Sequence, residues 1–582
     1  MTIETLITDH INIWSSALQT RSTAGRSSNG KIDLYGIKKL RELILELAVR
    51  GKLVPQDPND EPASELLKRI AAEKADLVKQ GKIKKQKPLP EISEDEKPSE
   101  LPVGWEWVRF ESVLDFSGGG QPPKSFFIEE KRDGYIQLIQ IRDLGESPQP
   151  VFIPKDKASK FCTTDDILIG RYGASVGKVF WGKDGAYNVA LVKIDNSFKA
   201  FNYPFLYWLL KSPLGQHLFS GISRSAQDGF NKSDIGSKLL PLAPVQEQVL
   251  IVNKIRELMA FCDQLEQQSL TSLDAHQKLV ETLLVTLTDS HSAEELAENW
   301  ARISQHFDTL FTTEASIDAL KQTILQLAVM GKLVPQDPND EPASELLKRI
   351  EQEKAQLMKE GKIKKQKPLP PVNDEEKPFE LPQGWVWCRF EDIVDIQSGI
   401  TKGRNLVGRE LISVPYLRVA NVQRGYLDLS EIKTIEIPAD EKEKYHVKLN
   451  DLLITEGGDW DTVGRTTVWT DSSYYVANQN HVFKARPILN ELNVKWIETF
   501  MNSSVSRNYF AGASKQTTNL ASINKTQLRG CLIALPSVSE TNRILELYIS
   551  LLNVCDTLKS RLQSAQQTQL HLADALTDVA LN

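Results

Sequence analysis

The sequence predicts an α+β protein with internal pseudo-twofold symmetry, in which two mixed α/β domains are separated by long helices packed as an antiparallel coiled coil. Three observations predict this architecture. Residues 51–70 recur without a change as residues 331–350 in a chain of 582 residues. Short β-like runs, separated by Gly, Pro and Asp turns, follow each copy. Each β-rich stretch ends in an apolar helical repeat that is too long for an ordinary globular helix, at residues 245–288 and 538–577.

The composition is that of a multidomain globular protein. A chain of 582 residues is longer than one hydrophobic core usually supports. Hydrophobic residues make up 41% of the chain and charged residues 25%, which is ordinary for a globular protein. The formal net charge is −7, so a nucleic-acid-binding function would require cations that are concentrated locally.

The cysteines and the amino terminus indicate the compartment. The five cysteines form no CxxC pair and no His cluster accompanies them, which argues against a zinc site and favours a reducing cytoplasm. They are Cys162, Cys262, Cys388, Cys531 and Cys555. The amino terminus is acidic and polar, unlike a signal peptide, and no apolar run approaches the length of a membrane span. We therefore expect a cytoplasmic protein that does not interact with membranes.

Two helices open the first half. Residues 37–49 carry an apolar stripe that stops before Gly51, a residue suited to the left-handed turn that ends a helix. Residues 64–79 form the second predicted helix, with Ser64 as its N-cap. A lysine-rich run and an acidic, proline-punctuated linker then extend to residue 100.

The first β-rich domain and a long helix complete this half. Strands are predicted at residues 137–141, 166–169, 178–181 and 190–194, with one helix at residues 203–219. The period changes after Pro244, where the helix of residues 245–288 begins. At the rise of an α-helix this segment would span about 65 Å, which suits a coiled coil.

The second half repeats this order. Its predicted elements are helices at residues 318–329 and 344–359, a β-rich domain from about residue 385 to 536, and a final helix at residues 538–577. The motif Cys-Asp-x-Leu falls at the same place in the two long helices, at residues 262–265 and 555–558. The helical parts of the two halves therefore match closely.

The two β-rich domains have diverged more than the helices around them. Residues 140–143, Gln-Ile-Arg-Asp, align with residues 418–421, Arg-Val-Ala-Asn. A shared fold with altered polar residues is expected of two domains that recognise different targets. Neutral drift of two surface domains after duplication explains the same pattern, so the divergence alone does not decide between them.

The order of motifs resembles the specificity subunit of a Type I restriction–modification system. The motif Leu-Pro-x-Gly-Trp-x-Trp opens each β-rich domain, at residues 101–107 and 381–387. A Leu-Ala-Val-x-Gly-Lys-Leu-Val-Pro-Gln-Asp-Pro-Asn-Asp-Glu-Pro block precedes each motif, and a helix led by Pro and Glu follows each domain. No single motif is decisive, but their order occurs twice and covers nearly the whole chain.

The resemblance implies a domain plan and a set of partners. It divides the chain into an N-terminal conserved helical region (1–103), target-recognition domain 1 (104–243), a central conserved region with a spacer helix (244–383), target-recognition domain 2 (384–537) and a C-terminal conserved helix (538–582). Each recognition domain would read one half of a bipartite, asymmetric site in double-stranded DNA. The helices would set the separation of the half-sites and dock two methyltransferase subunits, and motor-nuclease subunits would join that complex.

Symmetry makes this plan physically reasonable. Two duplicated units can pack their long helices antiparallel around an approximate twofold axis. Duplex DNA has a matching pseudo-dyad, so each domain can meet the duplex in an equivalent pose. Because the domains differ, the recognised site need not be palindromic.

Candidate DNA contacts in the first domain centre on the glycine-flanked residues 170–178. The domain is not strongly basic, with 17 Lys and Arg against 15 Asp and Glu in residues 104–243, so contacts must be local. Arg171 can bond a guanine edge with two donors, and Tyr172 or Ser175 can hydrogen-bond. An exposed β-hairpin turn or a plain surface loop explains the same residues. The candidates are Gln140, Arg142, Arg171, Tyr172, Ser175, Lys178, Arg224, Gln227, Asn231 and Lys232.

Candidates in the second domain include more acidic loops. Residues 456–465 replace the first domain's glycine loop and favour acceptor contacts, such as a carboxylate to cytosine. Here too an ordinary polar surface remains an alternative. The candidates are Lys402, Arg404, Asn405, Arg418, Asn421, Trp460, Arg465, Gln479, Asn480, Lys515, Gln516, Asn519 and Lys525.

Two other functions fit the sequence less well. A self-contained DNA methyltransferase would need a glycine-rich cofactor loop and an Asn/Asp-Pro-Pro-aromatic tetrapeptide, and the sequence has neither. A coiled-coil adaptor that binds only protein would explain the helices but not the two diverged domains. We therefore expect a non-catalytic subunit, with S-adenosylmethionine, ATP and Mg²⁺ bound by its partners. The resemblance implies that the whole complex is an adenine-specific DNA methyltransferase and an ATP-dependent endonuclease.

Overall fold

The computed structural model describes residues 3–21, 31–83, 89–222, 229–458, 462–513, 515–517 and 520–581. The chain forms two compact units, one of Met1–Leu273 with Ser564–Asn582 and one of Asp274–Gln563. Each unit combines helices with antiparallel-rich sheets, which confirms the predicted α+β class. Each of the two long helices contributes residues to both units.

The first unit begins with four helices and one pair of strands among its described residues. The elements are α1 (Ile3–Asp9), α2 (Ile11–Ser16), β1 (Gln19–Arg21), β2 (Lys31–Asp33), α3 (Tyr35–Val49) and α4 (Ala63–Lys79). Gly51 ends α3 with a φ of +66°, as its position predicts. Helix α4 begins at Ala63 after Pro62, so the predicted N-cap role of Ser64 is wrong. The extended backbone of Pro62 provides the entry to the helix.

The described residues of the β-rich part of the first unit form ten strands. The elements are β3 (Glu106–Arg109), α5 (Phe110–Val113), β4 (Asp115–Gly118), β5 (Tyr135–Ile139), β6 (Phe152–Pro154), β7 (Phe161–Cys162), β8 (Ile167–Gly170), β9 (Val179–Trp181), β10 (Gly185–Tyr187), β11 (Leu191–Asp195), α6 (Tyr203–Lys211), α7 (Pro213–Gln216), α8 (Lys232–Ile235) and β12 (Leu239–Leu242). The sheets are β6-β5-β10-β7, β4-β11-β8-β9 and the pair β12-β3. The last pair joins the beginning and the end of this part.

One predicted helix and the bounds of one predicted strand are wrong in this part. Residues 203–219 do not form one helix, because Ser212 precedes Pro213 and adopts the extended conformation favoured before proline. The hydroxyl of Ser212 then caps α7 by accepting the Gly215 N–H at 3.0 Å. The strand predicted at residues 137–141 lies at Tyr135–Ile139, and a 3-10 turn, Ile141–Leu144, follows it.

Helices dominate the start of the second unit. They are α9 (Val245–Asp289), which begins in the first unit, α10 (Ala293–Gln305), α11 (Phe307–Leu310), α12 (Glu314–Val329) and α13 (Ala343–Lys359). Helix α10 was not predicted. Helix α12 begins four residues before its predicted start, because the Thr313 hydroxyl caps it by accepting the Ser316 N–H at 3.1 Å.

The β-rich part of the second unit has a similar element order, with a short helix in place of strand β7 and three additional strands among the described residues. Its elements are β13 (Val386–Arg389), α14 (Phe390–Ile393), β14 (Val394–Gln397), β15 (Leu411–Leu417), β16 (Lys433–Pro438), α15 (Lys442–Tyr445), β17 (Leu452–Thr455), β18 (Gly457–Gly458), β19 (Thr466–Val468), β20 (Ala477–Asn478), β21 (Val482–Pro487), α16 (Val494–Met501), α17 (Ser504–Ala513), β22 (Lys515–Thr517), β23 (Leu520–Ser522), α18 (Lys525–Gly530), β24 (Leu532–Leu535) and α19 (Val538–Leu581). Sheets β14-β21-β17-β19 and β16-β15-β20 correspond to those of the first unit, whereas β18-β23-β22 is additional among the described residues.

Matching contacts join each β-rich part to the start of its long helix. The indole N–H of Trp105 donates to the Glu247 carboxylate at 2.8 Å, and that of Trp385 donates to Glu540 at 2.9 Å. All four residues are buried. The predicted correspondence of the two halves therefore extends to individual hydrogen bonds.

Two buried arginines hold the acidic linkers against the sheets. Arg109 donates to the carbonyls of Pro90 and Ser237 and to the Glu96 carboxylate. Arg389 makes the same three kinds of contact, with the carbonyls of Pro370 and Gly530 and with the carboxylate of residue 376.

Neither a candidate membrane span nor a metal-binding cluster occurs among the described residues. Within the described ranges, no helix combines the length and the apolar character that a membrane span requires. The same part of the chain contains no group of three or more His, Cys, Asp or Glu residues that could hold a metal ion. The five cysteines are buried and unpaired.

Candidate nucleic-acid interface

Four chain segments meet at one end of the sheets in the first unit. These are the residues that follow β4, β5, β8 and β10, and we call them the loop edge. The Arg171 N–H donates to the carbonyl of Ala190 at 2.9 Å, and the Asn188 N–H donates to that of Ile139 at 3.0 Å. A Cβ on Gly119 would lie 2.0 Å from the carbonyl oxygen of Asn188, so glycine is needed for this close approach.

The second unit has an equivalent loop edge, formed by the residues after β14, β15, β17 and β20. The Glu456 N–H donates to the carbonyl of His481 and the Gln479 N–H to that of Leu417, both at 2.9 Å. A Cβ on Gly399 would lie 2.2 Å from the carbonyl oxygen of Asn478. The two units thus present equivalent backbone positions with different side chains.

Arg171 is held in place at the first loop edge. Its Nε–H donates to the carbonyl of Phe230 at 3.1 Å, and its guanidinium carbon lies 5.3 Å from the centre of the Tyr172 ring. A Cβ on Gly118 would lie 3.3 Å from its Nη1. Ser175 turns inward, since its hydroxyl donates to the Tyr172 carbonyl, whereas Lys178 is exposed.

In the turn after β5, a buried carboxylate supports the backbone and a neighbouring guanidinium is exposed. Asp143 is fully buried, and its carboxylate accepts the backbone N–H groups of Gln140 at 2.8 Å and Gln149 at 3.2 Å. Arg142 is exposed and reaches only a long contact of 3.4 Å to the Gln149 side chain. The structure therefore leaves the Arg142 guanidinium at the surface, while Asp143 supports the turn.

The loop before α8 is locally self-paired. Asn231 caps α8, with its side-chain oxygen accepting the Ser233 N–H at 2.9 Å. Lys232 forms an ion pair with Asp115, and both side chains remain more than half exposed. Arg224 and Gln227 lie outside the described residues.

The matching turn of the second unit uses an amide where the first uses a carboxylate. Asn421 is buried, accepts the Arg418 N–H at 2.9 Å, and donates to the carbonyls of Asp428 and Glu431. Its side chain is thus occupied in supporting the turn. The Arg418 guanidinium pairs with the Glu431 carboxylate at 2.9 Å, which lowers the pKa of Glu431.

Ion pairing also engages the loop after β14. Arg404 forms an ion pair with Glu441 at 2.9 Å and lies over the Tyr445 ring, and the pairing holds the Glu441 pKa below its ordinary value. Lys402 is exposed and lies 5.2 Å from the Tyr416 ring centre. Asn405 is exposed, and its side-chain oxygen accepts the Val407 N–H at 3.1 Å.

Acidic and amide groups surround the loop after β17. The Glu456 carboxylate contacts Nδ1 of His481, and Arg465 donates to the Gln423 side chain at 2.8 Å. Gln479 and Asn480 are half-buried on the neighbouring segment after β20. This loop edge therefore offers acceptors where the first offers a guanidinium.

The remaining candidates fall in or near the additional sheet. Lys515 and Gln516 lie on β22, while Trp460 and Asn519 lie outside the described residues. Lys525 begins α18 and is half-buried, and this burial lowers its pKa.

The candidate set missed the residues that organise both edges. Gly119 and Gly399 set the close backbone contact, and Asn188 lies where Gln479 lies in the second unit. The available signal was a pair of glycines after β4 and the pair Ser-Gly after β14.

Comparisons with known proteins identify the family of this chain. A family model described as "Type I restriction modification DNA specificity domain" matches residues 102–275. The Type I restriction enzyme EcoEI specificity subunit of Escherichia coli is 50% identical, and the EcoAI specificity subunit of the same species is 48% identical; each match covers 100% of both chains. A chain from a solved structure of a type I R-M system is 17% identical with a TM-score of 0.46, and the match covers 83% of this chain and 99% of that one. The chain belongs to the specificity subunits of Type I restriction enzymes.

Proposed function

We propose that this chain gives a Type I restriction–modification complex its DNA specificity by reading a bipartite, asymmetric site in double-stranded DNA. Target-recognition domains 104–243 and 384–537 would each contact one half-site. The chain itself would carry out no catalysis. S-adenosylmethionine, ATP and Mg²⁺ would bind to its partners, and the assembled complex would methylate adenine and cleave DNA in an ATP-dependent manner. The cytoplasm remains our proposed location.

One comparison carries this proposal. Arg171 and Glu456 occupy equivalent positions, because each follows the last residue of a corresponding strand and donates its N–H to the neighbouring segment at 2.9 Å. A guanidinium offers only donors, whereas an ionised carboxylate offers only acceptors. These groups suit different base edges in the major groove. Equivalent folds with opposite side-chain chemistry support the recognition of two unlike half-sites.

The helical scaffold supports the proposed docking of two methyltransferase subunits. The repeated residues 51–70 and 331–350 are identical, and the ion pair between Arg69 and Glu61 recurs between Arg349 and Glu341. Two like surfaces are suited to two copies of one partner. Motor-nuclease subunits would then join through the complex.

Two other functions make different predictions. A protein-binding adaptor would bind no particular DNA sequence, and exchange of a recognition domain would leave DNA methylation unchanged. A self-contained methyltransferase would modify DNA when the purified chain alone received S-adenosylmethionine. Such activity would overturn the non-catalytic role.

The decisive experiment exchanges residues 104–243 for the corresponding domain of a relative with a different specificity. The complex with its partner subunits is purified, and its methylated sites are mapped by sequencing. We expect one half of the recognised site to change and the other to remain. Exchange of residues 384–537 is the matched control and should change only the other half. Changes in both halves, or in neither, from a single exchange would contradict the proposal.

A further inference from the structure

We infer that Arg171 reads a guanine in the half-site contacted by the first domain, through its Nη1 and Nη2 donors. This inference rests on the proposed function and adds the residue and the base that it recognises. It starts from the way in which the protein holds the guanidinium, while no hydrogen bond or ion pair engages its terminal nitrogens within the described residues.

The protein fixes the inner part of the Arg171 side chain. Its Nε–H is used by the carbonyl of Phe230 at 3.1 Å. Gly229 packs against the Tyr172 ring and the aliphatic part of Arg171. A Cβ at this position would lie 2.6 Å from Tyr172 Cε1 and 2.9 Å from Arg171 Cγ. Gly118 approaches Nη1. A side chain that is already held in one place loses less conformational entropy when it binds.

The other candidate arginines in the described residues have acceptors for their terminal nitrogens. Arg404 and Arg418 pair with carboxylates at 2.9 Å, and Arg465 donates to an amide oxygen at 2.8 Å. Arg142 has the weaker contact with Gln149 at 3.4 Å. Arg171 differs because, in the part of the chain that the structure describes, the hydrogen bond that holds it uses Nε alone, which leaves both terminal nitrogens available to a ligand.

The chemistry of this group selects the base. Two terminal donors on a planar guanidinium need two acceptors side by side. In the major groove, guanine presents N7 and O6 as acceptors, whereas adenine presents one acceptor and one donor. Guanine is therefore the base that satisfies Arg171. A backbone phosphate also offers two acceptors, and the experiment must separate these ligands.

The test compares Arg171→Lys with wild type in the purified complex with its partner subunits. Lysine keeps the charge but loses the paired donors. We expect discrimination at one G·C pair of one half-site to fall by about 10- to 100-fold, the equivalent of a lost bidentate contact, while the other half-site is unchanged. Methylation rates on duplexes substituted at each position provide the measurement. Arg132→Lys, an exposed arginine outside the candidate set, is the matched control.

A second variant tests geometry without changing any charge. In Gly118→Ala the added methyl group crowds Nη1, which should displace the guanidinium and weaken discrimination at the same G·C pair. Thermal unfolding and binding to the partner subunits should match wild type for every variant that is interpreted.

Three results would overturn the inference. Uniform weakening on all duplexes, with a smaller salt dependence, would indicate a phosphate contact. Lost discrimination at an A·T pair would indicate another base. No change with Arg171→Lys, when exchange of residues 104–243 still alters one half-site, would remove Arg171 from recognition and leave the proposed function intact. A failed domain exchange would instead contradict the proposed function itself.

Discussion

Strands β8 and β17 occupy corresponding places in the two units, yet the residues that follow them have opposite charges. Arg171 follows the first strand and Glu456 the second, with the same backbone hydrogen bond. At the junctions with the long helices, by contrast, the same residue types make the same contacts, as Trp105 and Trp385 show. The difference indicates which parts of the duplicated chain serve a common purpose and which serve separate ones.

Corresponding residues of the two sheets also differ in their contacts, so a difference between the halves is not by itself evidence of function. Lys193 and Lys484 lie at corresponding positions on β11 and β21. Lys193 lies 3.5 Å from the Asp166 carboxylate, whereas Lys484 is buried and donates to the carbonyls of Lys444 and His446. Burial lowers the Lys484 pKa to about 8. Divergence therefore indicates recognition only where a side chain is accessible and its polar groups remain available.

The largest expected effect tests the equivalence of the scaffold. Trp105→Ala and Trp385→Ala each remove a buried indole that packs edge-to-face on an aromatic ring, Phe205 or Trp496. Each should cost about 3–5 kcal/mol of stability in its own unit. Hydrogen exchange of the pairs β3-β12 and β13-β24 measures each unit separately. The additivity error of such measurements is about 0.5 kcal/mol. Stability costs of the two variants that differ by more than about 2 kcal/mol would therefore show that the two junctions are not equivalent.

The next effect concerns the buried arginines that hold the linkers. Arg109→Ala and Arg389→Ala should each cost about 2–3 kcal/mol, because several buried carbonyls lose charged donors. The linker should then become susceptible to proteolysis in the altered half alone. Limited proteolysis, with mass spectrometry to locate the cuts, provides the measurement. Arg349→Ala, which removes a half-buried ion-pair partner outside the linker contact, is the control and should leave the linker protected.

The scaffold was predictable from the sequence to a greater extent than the loop edges. The repeat of residues 51–70 and the apolar stripes of the helices defined the matching elements, because local periodicity decides helices. Helix α10 and the break at Pro213 were missed, although the capping residue Ser292 and the proline itself were available as sequence signals. The support roles of Asp143 and Asn421 depend on contacts across a folded turn. Sequence can suggest polar candidates, but burial and pairing decide which of them remain available.

Smaller effects should distinguish the two buried Trp–Glu contacts. Glu247 accepts well-formed hydrogen bonds from Gln56 at 3.1 Å and from Trp105, whereas the matching contact between Gln336 and Glu540 lacks normal hydrogen-bond geometry. Glu247→Gln places an amide opposite the Gln56 donor, but Glu540→Gln disturbs only the weaker contact with Gln336. We expect Glu247→Gln to be about 1 kcal/mol less stable than Glu540→Gln at pH 7. Equal stabilities would show that the weaker contact of Glu540 has no energetic consequence.

The same variants carry a pH dependence with a defined sign. Burial raises the pKa of Glu247 and of Glu540 above the ordinary carboxyl value. The folded state therefore retains the proton to higher pH than the unfolded state, and wild-type stability falls as pH rises from about 4.3 through the raised pKa. Each Gln variant lacks this loss, so its stability relative to wild type should improve between pH 4 and pH 7. Parallel unfolding profiles over that range would contradict the assignment.

The smallest expected effect on stability comes from exchanging residue types at one position where the two long helices differ. Arg543 pairs with Asp340 at 2.7 Å, while the corresponding position on α9 is Leu250, which is exposed, with Asp60 corresponding to Asp340. Arg543→Leu should lower the stability only slightly, as expected for an ion pair with an exposed arginine, and this cost should shrink at high salt. Leu250→Arg should recover a similar amount in the first unit by pairing with Asp60. Hydrogen exchange at low and high salt checks both changes. A cost for Arg543→Leu without a gain for Leu250→Arg would mean that the identical blocks 51–70 and 331–350 have unequal surroundings. The two proposed docking surfaces would then be less alike than their sequences.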